Sequence, residues 1–127
     1  MHAELRSLHS PDLDLQHETP ADPEDFTILV QAFIGQAGKP GEDAFSFQVC
    51  TPRSLEDTAR RQLAKGFWFA RNLLVLERYD YQVLCRAIIG LCRSTSGRSW
   101  DEISVKLSRW GAWEFEEYQP LNERAQR

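Results

Sequence analysis

The chain has 127 residues, 42% of them apolar, with 15 basic against 19 acidic side chains and a net charge of −4. That is one domain's worth of chain with material for its own core, and it is too apolar for intrinsic disorder. The mild acidity argues against free nucleic acid as a partner, since phosphate binding wants a basic stripe, and leaves a basic protein partner open.

The first residues, Met1–Arg6, lack the apolar run of a signal peptide, and Ala3–Leu8 reads as a first strand. His9–Asp25 follows with Asp12, Asp14, Glu18, Asp22, Glu24 and Asp25 and no Lys or Arg. It carries −6, so the remainder of the chain sums to +2. Pro11, Pro20 and Pro23 punctuate it, which suits turns, and an exposed acidic loop is expected here.

Phe26–Gln36 alternates cleanly, with Phe26, Ile28, Val30, Ala32 and Ile34 on one face. Gly38-Lys39-Pro40-Gly41 is turn chemistry, and Ala44–Thr51 alternates again with Phe45, Phe47 and Val49 together. Two such runs joined by a Gly/Pro turn predict a hairpin whose Phe/Ile/Val face lines the core. Thr51-Pro52 starts a short, locally basic helix that Gly66 ends. Phe67-Trp68-Phe69 has no role that the pattern assigns. Leu73–Leu76 is a continuous apolar run, expected as a strand buried on both faces. It is also the longest kind of apolar stretch in the chain, far too short to cross a membrane, so the chain reads as cytoplasmic with no membrane partner.

Asp80 is placed to cap a helix with Leu84, Ala87, Ile88, Leu91 and Cys92 inward and Arg86 and Arg93 outward. Ser99, with Glu102 three residues on, opens a last helix. Trp100, Ile103, Leu107 and Trp110 form its expected apolar stripe, and Gly111 stops it. Trp113-Glu114-Phe115-Glu116 then alternates as a short edge strand would. A single domain over residues 1–118 is expected, with a polar tail, 119–127, that frays. Strands and helices are partly segregated along the chain. That predicts an α+β fold, an antiparallel sheet with about three helices packed on one face.

The block Ser99–Tyr118, reading SWDEISVKLSRWGAWEFEEY, resembles the end of the immunity protein 8 family of bacterial polymorphic-toxin systems. Leu8-His9-Ser10-Pro11-Asp12, Phe26–Gly35, Phe45–Pro52 and Arg71–Tyr81 resemble the same family in order and spacing. The likeness thus covers most of the chain and leaves out the polar tail ending at Arg127. It implies a protein that binds and neutralises a cognate toxin domain, and it offers no catalytic residues to carry over.

The residues themselves supply little chemistry. His2, His9 and His17 lack the fixed spacing that places two imidazoles on one helical face, so no metal site is expected. No serine lies in a nucleophile elbow. His9-Ser10 suits a loop turn. Gly38-Lys39-Pro40-Gly41 has no Lys followed by Ser or Thr, and Pro40 removes an amide that a phosphate cradle needs. Cys50, Cys85 and Cys92 have neither CxxC spacing nor an even count, and buried reduced thiols are expected. No cofactor is indicated.

Glu114 and Glu116 would share one strand face. They could serve a small hydrolase as acid and base, guard a solvated edge, or dock a cation. Trp100 and Trp110 are expected in the core; Trp68 and Trp113 are candidates for either core or partner anchor. The expected toxin contacts are therefore Asp12, Asp14, Glu18, Asp22, Glu24 and Asp25 on the acidic loop, together with Trp113, Glu114, Glu116 and Glu117. A basic toxin such as a nuclease would be drawn by the charge. The alternatives are the hydrolase or an adaptor-type interaction module, and the oligomeric state is open.

Overall fold

In the computed structural model, residues 1–115 are described. Five strands form one sheet: β1 (Ala3–His9), β2 (Thr27–Gln36), β3 (Asp43–Cys50), β4 (Leu73–Val75) and β5 (Ala112–Trp113). Three α-helices accompany it: α1 (Pro52–Gln62), which runs on through a 3-10 turn at Leu63–Lys65, α2 (Tyr81–Arg93) and α3 (Trp100–Leu107). The fold is α+β, as the segregated pattern predicts.

β1, β2 and β3 form an antiparallel meander, with Leu5 opposite Ile34, Val30 opposite Phe47 and Ile28 opposite Val49. The period of two therefore aligns the apolar sets of neighbouring strands on one face. Arg6 is an extra residue in β1, where the register shifts between Leu5 and Ser7. Its guanidinium donates to the Gln36 and Lys39 carbonyls at 2.9 and 2.6 Å, tying the β2–β3 turn to the first strand. Gly38 and Gly41 in that turn have φ of 82° and 97°, which glycine adopts without a Cβ clash. Gly35 has no room for a Cβ against the Gly41 carbonyl.

The far edge of β3 is shared. β5 pairs antiparallel with Phe45 and Ser46, and β4 pairs parallel with Gln48–Cys50. The parallel pairing follows from connectivity, because α1 and the loop after it carry the chain back beside Gln48 before β4 begins. The run Leu73–Leu76 is accordingly not a central strand. β4 has three residues, Leu73 and Leu74 are half-buried, and Val75 is exposed; only Leu76, just past the strand, is buried.

The core lies between the inner sheet face and α2 and α3. Val30, Ala32, Ile34, Phe45 and Val49 meet Leu84, Ile88, Cys92, Ile103 and Leu107 there. Each large side chain removed from water contributes about 1.5–3 kcal/mol. Asp80 caps α2 by accepting from the Gln82 and Val83 amides at 3.0 and 3.3 Å. Ser99 caps α3 through the Glu102 amide at 3.2 Å, while Glu102 accepts from the Arg98 amide. α3 ends at Leu107, three residues before the expected stripe is complete at Trp110. Trp110 therefore falls in the turn after it, 61% exposed, and is not a core residue. Gly111 follows where a Cβ would sit 2.6 Å from the Phe47 ring, so only glycine lets the chain pass this close to β3. α1 contributes least to the core, burying Ser54, whose hydroxyl bonds that of Thr27.

Candidate functional site

The acidic segment is exposed in its charges and ordered in its backbone. β1 stops at His9 opposite Gln31, which leaves the edge of β2 bare at Leu29. Asp12 fills the place of the missing strand: its carboxylate accepts from the Leu29 amide at 2.8 Å. The buried Ser10 hydroxyl accepts from the Asp12 amide and holds that turn. Asp14 accepts from the Gln16 amide at 3.3 Å and lies 3.0 Å from His17 Nδ1; Glu18 reaches back to the Asp14 amide at 2.8 Å. The bond with His17 holds the Asp14 carboxyl below its ordinary value, helped by the charge of the imidazolium and by backbone amides. Asp22 accepts from the Glu24 amide at 2.9 Å in a further Asx turn.

Tyr79 anchors the whole segment. Its hydroxyl donates to the Leu15 carbonyl and its amide to the Pro23 carbonyl, both at 2.7 Å, while its ring meets Phe26 edge-on at 5.6 Å. Leu15 is buried beside it. Burial raises the Tyr79 phenol above its ordinary pKa, so the donor keeps its proton. Between the end of β1 and this loop lies an open cleft of about 740 Å³, lined among others by His9, Asp12, Asp14, Glu18 and Tyr81. Asp22, Glu24 and Asp25 lie outside the cleft lining, with Asp22 and Glu24 exposed and Asp25 half-buried.

The second expected surface is a structural joint as far as it is described. Asp43, at the start of β3, accepts from the indole N–H of both Trp100 and Trp113, at 2.8 and 3.1 Å, through the same oxygen. Trp113 also stacks on Phe45, with centroids 6.3 Å apart. Glu114 accepts from the Ala44 amide at 2.8 Å and donates its own amide to the Ala44 carbonyl. Trp113 and Glu114 thus hold β5 on the sheet. Glu116 and Glu117, with the tail expected to fray, lie outside the described residues. Asp43 gave no signal in the sequence, because a lone aspartate next to a Gly/Pro turn reads as turn chemistry.

His9 and Glu114 lie on opposite edges of the sheet, three strand-to-strand steps apart, or about 14 Å. His9 lines the cleft beside the acidic loop, and Glu114 is not part of that lining. Among the described residues, no three His, Cys, Asp or Glu side chains converge as metal ligands. Among the described residues, no helix is long and apolar enough to cross a membrane. Cys50 and Cys92 are buried free thiols; Cys85 is also free and half-buried. Burial pushes the Cys92 thiol up to about 11.

One feature with no sequence assignment is prominent in the fold. Phe67 and Phe69 are 57% and 84% exposed, and Trp68 between them is half-buried.

A family model described as immunity protein 8 matches residues 3–118. Neither the curated proteins nor the solved structures contain a match to the chain.

Proposed function

The chain belongs to the immunity protein 8 family, whose members act against a toxin, and we propose that it neutralises its cognate toxin in the cytoplasm by occlusion, without turning over a substrate. The observation that carries this reading is the preformed acidic lip His9–Asp25. Its six carboxylates are presented on a backbone that Tyr79, Ser10 and the Asx turns already fix. A surface ordered before the encounter loses little conformational entropy on binding, and its charge speeds approach to a basic toxin face. Asp14, Glu18, Asp22, Glu24 and Asp25 are the proposed contacts. Asp12, Trp113 and Glu114 are assigned to holding β2 and β5, so replacing them acts through stability. Glu116 and Glu117 remain proposed contacts beyond the described residues.

The test is co-expression with the cognate toxin domain. Rescue of growth and a stable complex with the inactive toxin are expected. Glu24→Lys with Asp25→Lys should slow association by about tenfold at low salt and lessen its salt dependence. Absence of rescue and complex would overturn the function. Normal association by the double variant would move the contact off the acidic lip.

A further inference from the structure

The acidic lip leaves unexplained the segment where the chain places its aromatic side chains in water. α1 and the stretch after it, residues 52–71, carry five cationic side chains against two acidic ones, a net +3 in a chain of −4. Gly66, at φ 96°, ends the 3-10 turn in the left-handed region and turns the chain out into Phe67-Trp68-Phe69. Phe67 and Phe69 lean on each other edge-to-face, with centroids 6.0 Å apart. The Lys65 ammonium stands 5.2 Å over the Phe67 ring. Beside them, between α1 and the outer face of the sheet, runs an open hollow of about 410 Å³, lined among others by Arg61, Trp68, Phe69, Thr27 and Gln48. None of the three aromatics belongs to the core cluster.

We infer that this cationic aromatic edge is a second contact for the toxin, taking an acidic segment of it that also carries an apolar side chain. The inference rests on the family reading and deepens it by naming the chemistry of a further part of the toxin's surface. Two physical arguments select that occupant. Exposed aromatics flanked by arginine are the composition of energetically dominant interface residues, since a ring buries a large area with few rotors to immobilise. The local +3 also opposes the −6 of the acidic loop, so carboxylates favour this edge and are repelled by the other. A nucleic acid offers stacking bases to the same rings. Its phosphates, however, need a continuous basic stripe, which Glu56 and Asp57 interrupt on α1 by pairing with Arg60, whereas a short acidic segment needs only a local cationic spot. Two contacts of opposite sign fix one docking orientation, because the reversed pose sets like charges together.

The experiment measures affinity of the inactive cognate toxin domain for the full chain and for Phe69→Ala, Arg61→Glu and, as a remote exposed control, Val105→Ala. Circular dichroism and melting temperature verify that each variant folds. The expected result is a complex with the native chain, weakened about tenfold or more by Phe69→Ala and by Arg61→Glu, and unchanged by Val105→Ala. Native-like affinity in both edge variants overturns this inference and leaves the family reading standing. No complex with the native chain overturns both. Binding of oligothymidylate that Phe69→Ala abolishes, with toxin affinity intact, assigns the edge to nucleic acid and also overturns it.

Discussion

Asp43 shows how one carboxylate can join distant parts of a chain. A single oxygen receives the indole N–H groups of Trp100 and Trp113, so the loop entering β3, α3 and β5 meet at one atom. Asp43→Ala strands two part-buried donors and should lower stability by about 2–3 kcal/mol in urea titrations. Asp43→Asn, which keeps one acceptor oxygen, should cost clearly less. A second residue-scale expectation concerns Asp14. Its folded pKa lies below the ordinary 3.8, so the stability it contributes is present above that value and is lost as pH falls through the folded pKa. An NMR titration of the carboxyl should show the low value in the native chain and a rise toward the ordinary one in His17→Ala, where the Gln16 amide still donates to it. At this scale the sequence is legible where a residue acts on its own neighbours, as Asp80 and Ser99 do in capping. It is silent on Asp43, whose partners stand 57 and 70 residues away, and it misplaces Trp110, because the apolar periodicity continues past Leu107, where α3 ends.

The elements with long, regular patterns are the ones that local sequence determines. The β2–β3 hairpin follows from two alternating runs and a Gly/Pro turn, and α2 from its stripe and its Asp80 cap. Asp80→Ala removes the acceptor of two first-turn amides and should cost about 1 kcal/mol, with the loss read as lower hydrogen-exchange protection at the start of α2. The short elements depend on what they meet. An apolar run such as Leu73–Leu76 is compatible with a central or an edge strand. Its place is decided by the α1 crossover, which delivers it parallel to β3 beyond the pairs that β5 occupies. The acidic segment is similar. Its charge and prolines are legible as a loop, but its order comes from Tyr79, far along the chain, and from Asp12 standing in for a strand at Leu29.

On the scale of the whole molecule, charge is separated into a loop of −6 and a crossover of +3. The candidate contacts are legible in sequence on the acidic side, where the count suffices. On the cationic aromatic side they are not, because only the fold distinguishes an aromatic run left in water from one buried in a core. Stability at high pH is another property of the whole fold. Cys92 keeps its proton up to about 11 when folded, against 9.0 for an ordinary thiol. Between those values the unfolded chain sheds a proton that the folded one retains, so rising pH favours unfolding. Urea midpoints should fall across this window, and less so in Cys92→Ala when each is compared with its own neutral value. Ellman's reagent should reach the half-buried Cys85 first, and Cys50 and Cys92 only as the molecule opens. The extra residue at Arg6 has a consequence of its own. An outermost strand normally offers an even row of amides and carbonyls that a second copy can extend. Here that row is offset by one place halfway along, and past His9 it gives way to a carboxylate-studded loop, so the margin is a poor template for fibrillar growth in a concentrated cell.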